Sequence, residues 1–100
     1  MRFRVVDNAW WMFWAGGMVL WPWIWFRKGR RTERLFRHEL QHCYQVKRLG
    51  RLRFYATYLF YSVRHGYWKN PYEVEARKYE DKELTSQERA WMERGVVDLR

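Results

Sequence analysis

The chain predicts an α+β fold in a single domain, and three observations carry that expectation. The opening Arg2-Phe3-Arg4-Val5-Val6 largely alternates charged and apolar side chains, the pattern of a half-buried strand. Met18 to Phe26 is rich in aromatic and branched residues that favour strands. From Thr32 onward the apolar residues recur at helical spacing instead, punctuated by cap and stop signals. A chain of 100 residues has room for one modest core and no second. The expected layout over 1–100 is therefore a small antiparallel N-terminal sheet or hairpin, drawn from 1–30, packed on three to four helices drawn from 31–95.

Each element has its own signal. Asp7-Asn8 breaks the first strand with a turn. Ala9 to Trp14 fits a short helix or an aromatic strand equally well. Gly16-Gly17 reads as a turn, and Met18 to Phe26 as one strand that Pro22 confines to a sheet edge or a bulge. Lys28-Gly29-Arg30-Arg31 is a basic loop. Thr32 is the expected N-cap of a helix that runs to about Leu49, with Gly50 closing it. A second helix, about Leu52 to His65, is apolar almost all round and predicts a buried spine. Asn70-Pro71 restarts the chain as N-cap and first helical residue of a helix reaching about Leu84. Thr85-Ser86-Gln87-Glu88 fits a capping box for a last helix to about Arg94, and Val96 to Arg100 reads as a tail.

Composition narrows the function. Hydrophobic residues make up 48% and aromatics 21%, which excludes a disordered chain. One cysteine, Cys43, excludes an internal disulfide framework and suits a reducing, cytoplasmic setting. Directly after His42, it points away from that residue and reads as a buried small hydrophobe. A net charge of +9 draws the chain toward polyanions, although Arg spread through 27–53 and 64–78 suits solvated helix faces. Residues 9–26 carry no charge and are followed by Arg27, Lys28, Arg30 and Arg31. Gly16-Gly17, Pro22 and the abundance of Trp argue against a membrane span there and leave surface contact open. Trp10, Trp11, Trp14, Trp21, Trp23 and Trp25 exceed what one small core buries, so some are expected to face a partner. Stacking on single-stranded nucleic acid is a weaker expectation, because no nucleic-acid module signature accompanies them.

The chemistry centres on His38-Glu39-Leu40-Gln41-His42. Residues four apart share a helix face, so His38 and His42 can grip one ion, and neutral imidazoles suit Zn²⁺. Glu39 lies beside the first ligand, where it can act as general base toward a water that the metal activates. A catalytic zinc needs a third protein ligand, for which His65, Glu73, Glu75 and Glu80 are the downstream candidates. Glu73 and Glu75 are two apart on one helix and face different ways, so at most one can ligate. Ala76, three after Glu73, would let that helix approach closely. Glu75, if not a ligand, suits a hydrogen bond to a ligating His. His65, Tyr67 and Tyr72 are the candidates to donate to a developing oxyanion.

H-E-x-x-H on one helix with Glu73-Val74-Glu75-Ala76 on a later one resembles the gluzincin metallopeptidases. More closely, Arg37 to His42, Arg48-Leu49-Gly50, His65-Gly66-Tyr67 and Asn70 to Arg77 look like a group of small H-E-x-x-H proteins of bacteria and phages, over roughly residues 30–80. The resemblance implies Glu73 as third ligand, Glu39 as base, and a minimal zincin-like fold in which a sheet edge flanks the cleft. Arg77 stands where many gluzincins carry Asp. The expectation is a zinc-dependent metallopeptidase acting on a peptide or protein. A zinc-stabilised, non-catalytic binding or structural module, with polyanion affinity, is the alternative.

Overall fold

A computed structural model describes residues 1–12, 15–29 and 31–99; Trp14 and Arg30, both singled out above, lie outside the described residues. The elements run β1 (Arg2–Val6), β2 (Gly17–Leu20), β3 (Trp23–Phe26), α1 (Glu33–Leu49), α2 (Arg51–His65), α3 (Pro71–Arg77), α4 (Ser86–Arg94) and β4 (Val96–Asp98). The α+β class is as expected. The sheet, in the order β2-β3-β1-β4, is mixed rather than antiparallel. β1 runs parallel to β3, with Val5 opposite Ile24, while the β2–β3 and β1–β4 pairs are antiparallel.

Two differences from the sequence reading have different causes, a local reversal of the chain and a pairing between its distant ends. Met18 to Phe26 is not one strand but the two arms of a hairpin turning at Trp21-Pro22. Proline has no N–H to continue a ladder, so the chain reverses there. The expected tail contains β4, whose three residues are too few to read locally but pair with Arg2, Phe3 and Arg4. The Met1 ammonium donates to the Leu99 carbonyl at 2.6 Å, closing the two ends on each other.

Phe3, Ile24, Phe26 and Val97 from the sheet meet Phe36, Leu40, Cys43 and Val46 of α1 in the core, with Leu84 and Trp91 behind. α1 starts where expected: the Thr32 hydroxyl accepts from Leu35 N–H. It ends at Gly50, whose φ of +86° lets the chain turn directly into α2 without a linker. Asn70 caps α3, and its amide also donates to the Tyr58 carbonyl at 3.1 Å and to Ser62 Oγ at 2.9 Å, which anchors α3 to α2. α3 stops seven residues earlier than expected. Lys78, Tyr79 and Glu80 bond back three residues instead of four, a tightened turn that brings Glu80 toward α1. The capping box of α4 forms as expected.

α2 corrects the expectation of a buried spine, since among its residues only Phe54 is buried. Residues 9–26 supply the β2–β3 hairpin, with Ala9, Met12, Val19, Ile24 and Phe26 in the interior. Among the described residues no helix is long and apolar enough to cross a membrane.

Candidate metal centre

The interior face of α1 carries His38, Glu39 and His42, all buried. α3 crosses α1 closely because Ala76 presents only a methyl group at the contact, and the crossing delivers Glu73. Glu73 Oε1 lies 2.9 Å from His38 Nε2 and 3.1 Å from His42 Nε2. Bonds of about 2.0–2.1 Å in a tetrahedral zinc shell separate neighbouring ligand atoms by about 3.3 Å, and both carboxylate–imidazole distances come within a few tenths of an ångström of that spacing. All three ligand atoms lie within 4.8 Å of one another.

The opposite ring nitrogens decide which lone pairs point inward. Gln45 Nε2 donates to the Tyr72 carbonyl at 3.1 Å and to Glu75 Oε1 at 3.0 Å, so its amide oxygen faces His42 Nδ1, at 2.8 Å. An oxygen there requires Nδ1–H and leaves Nε2 as the nitrogen with a free lone pair or a proton. His38 Nδ1 meets the Glu80 carboxylate at 2.6 Å with the same consequence. Two Nε2 atoms and a carboxylate oxygen therefore converge on one point, and only protons or a cation can satisfy them together. This donor set, two imidazoles and a carboxylate, fits zinc, with both imidazoles oriented by outer partners.

The electrostatics agree with that geometry. Burial lowers the affinity of His42 for a proton, but the hydrogen bond to Glu73 and the nearby Glu39 charge outweigh it and push the imidazole up to about 9. His38 is raised by the same balance. Glu73 is held well below the usual carboxylate range, because hydrogen bonds from both imidazoles and from Tyr58 overcome its burial. Burial raises Glu39, against the pull of the two imidazoles. Protons and a metal compete for the same Nε2 lone pairs, so metal uptake releases protons and weakens toward acid.

Glu39 does not join the three converging atoms. It lies under β2, where a Cβ on Gly17 would come within 3.1 Å of its Cγ and Oε2. Glycine thus lets the strand rest on the carboxylate. β2 is the edge of the sheet, and a cleft opens on either side of this contact. One, of about 670 Å³, is bordered by Gly16, Arg34, His38, Trp68, Arg77 and Glu80. The other, of about 270 Å³, is apolar and bordered by Val19, Leu20, Phe54, Tyr55, Tyr58 and Glu73. Gly17, Glu39 and Tyr67 border both.

The remaining sequence candidates divide sharply. Tyr67 reaches the clefts, and burial with the nearby Glu73 and Glu39 carboxylates pushes it up to about 12, so its phenol keeps its proton. Tyr72 borders neither cleft; its hydroxyl pairs with Thr57 at 2.6 Å and its ring stacks on Phe54. His65 is exposed at the end of α2 beside Tyr61. Glu75 turns away from the imidazoles toward Gln45 and Arg48 and touches His42 only through Gln45. Glu80, weighed above as a ligand, stands behind His38.

Three participants escape sequence reasoning. Gln45 was within reach, three residues after His42 on the same helix. Tyr58, which donates to Glu73 Oε2, and Gly17 come from other elements and carry no local signal. Comparisons with protein-family models, with curated proteins and with solved structures return no match, so the reading of this centre rests on its geometry.

Proposed function

We propose that this chain is a zinc-dependent metallopeptidase of minimal, gluzincin-like build. The observation that carries the reading is the convergence of His38 Nε2, His42 Nε2 and Glu73 Oε1 on one point, with Glu39 beside it beneath an edge strand. Zinc held by those three residues would supply a Lewis acid that makes water nucleophilic near neutral pH. Glu39 is the proton acceptor: burial raises its basicity, and the raised carboxyl is suited to return the proton to the departing amine. At the edge of β2 the Val19 carbonyl already accepts from Tyr55 Oη at 3.2 Å. The remaining outward backbone groups of the strand are on offer to an extended peptide, aligning it across Glu39. Tyr67, a protonated phenol on the rim of both clefts, is the donor available to a developing oxyanion. The single buried cysteine is compatible with a cytoplasmic setting.

A zinc-stabilised module without turnover is the second reading, favoured by the burial of all three ligands. One experiment separates the two. Metal content is measured for the purified protein and for Glu39→Gln, and both are assayed on a mixed peptide library. The peptidase reading expects about one zinc per chain in each protein and hydrolysis reduced about 10²–10⁴-fold in the variant. Bound zinc with no hydrolysis by the parent supports the structural module. Undiminished hydrolysis by Glu39→Gln removes the peptidase reading.

A further inference from the structure

The face of α2 that points away from the core has a composition that packing does not explain. At about 100° per residue, Leu52, Ala56, Leu59 and Val63 fall on one line diametrically opposite the buried Phe54, with Phe60 beside them. Leu52 is 90% exposed, Val63 82%, Leu59 66% and Phe60 59%. Leu20 and Trp21, at the β2–β3 turn, adjoin the start of this helix. Tyr55 Oη accepts from Trp21 N–H at 2.8 Å, and the Arg51 guanidinium lies 4.0 Å over the Trp21 ring. Both residues are themselves more than a third exposed. An outward apolar stripe of this size marks an interaction surface.

Charge identifies the partner. Between Leu40 and Tyr72 there is no acidic residue, whereas Lys47, Arg48, Arg51, Arg53, Arg64 and Lys69 are cationic. Arg53 and Arg64 flank the stripe on the Phe60 side and Arg51 on the other. Among the described residues none of these three pairs with a carboxylate. A second copy docked face to face would set arginine against arginine with no acid between them. Single-stranded nucleic acid stacks on aromatic faces, and three members of this stripe are Leu or Val. Aliphatic side chains rimmed by arginine, with a Trp at the border, suit acyl chains beneath anionic headgroups.

We infer that α2, with Leu20 and Trp21, docks this protein peripherally on an anionic bilayer surface. The inference is independent of the metal centre. Sedimentation with vesicles tests it, using phosphatidylcholine alone and equal parts of phosphatidylcholine and phosphatidylglycerol. The parent should bind the anionic vesicles and not the neutral ones, and binding should fall as salt rises. Leu59→Ser with Val63→Ser should weaken binding at least about tenfold. Arg53→Gln and Arg64→Gln should each weaken it about fivefold, and provide an independent pair if the serine variant loses its circular-dichroism spectrum. No binding by the parent, equal binding to both vesicle types, or full binding by the serine and glutamine variants overturns the inference. So does a parent dimer, seen by sedimentation velocity without lipid, that the serine variant dissolves; the stripe would then be a self-interface. Binding to oligothymidylate without vesicle binding would likewise overturn it and assign the face to nucleic acid.

Discussion

α1 and α2 are joined at Gly50, yet they reverse what their side chains suggest. α1, the more polar, buries ten of its residues, among them Arg37, His38, Glu39, Gln41, His42 and Gln45. α2, the more apolar, buries only Phe54. The difference teaches that burial here follows the supply of partners. On the inner face of α1, Arg37, His38, His42 and Gln45 meet complements from α3, α4 or the turn after α3, and among the described residues no buried side-chain donor or acceptor lacks a partner. α2 packs through one side only, and no described element covers the other.

The contrast is broken most severely where α1 holds α4. Arg37 pairs with Glu88 and donates to the Tyr79 carbonyl at 3.0 Å, while Tyr44 donates to the other Glu88 oxygen at 2.6 Å. Glu88 also closes the capping box by accepting from Thr85 N–H at 2.9 Å. Removing one member of a buried pair strands the other, so Glu88→Ala should cost about 3–5 kcal/mol in urea unfolding. Burial raises the Glu88 carboxyl, but Thr85, Tyr44 and Arg37 outweigh it and leave it below its ordinary 4.5. A group lowered on folding adds stability that is full above the unfolded value and is lost as pH falls through the folded one. Parent stability should therefore decline below about pH 4.5, and Glu88→Ala should flatten that decline.

A paired truncation sharpens the comparison further. Leu40→Ala, in the core, should destabilise by about 2–5 kcal/mol. Leu59→Ala, on the outer face of α2, should stay within about 0.5 kcal/mol by the same measurement. A large cost at Leu59 would mean that the outer face is covered.

The last change touches only the support of the site. Gln45→Leu removes the oxygen that orients His42 and the donor to Glu75, leaving the three converging atoms unchanged. On the proposed zinc reading, affinity for the metal, read by competition with a chelator, should fall about 10–100-fold. An unchanged affinity would show that the ring is oriented by packing against Phe54 and Tyr58 instead.

Much of this molecule can be read residue by residue. The caps at Thr32, Asn70 and Thr85, the stops at Gly50, Gly66 and Gly95, and the shared face of His38 and His42 depend on neighbours within four positions. Local steric and hydrogen-bonding preferences determine such features, so the sequence by itself determined the α+β class and put the two histidines together. What depends on distant segments stayed hidden. The parallel pairing of β1 with β3, the strand Val96–Asp98, the turn that returns Glu80 to His38, and the reach of Tyr58 to Glu73 all join residues far apart in the chain. The apolar count of α2 signalled burial, but which face of a helix is covered depends on what packs against it. Only the tertiary structure decided that Glu73 and not Glu75 meets the imidazoles, that Gly17 lies on Glu39, and that the leucines of α2 face outward. Each is a choice between long-range contacts of similar local cost, and the packing of the whole chain makes it.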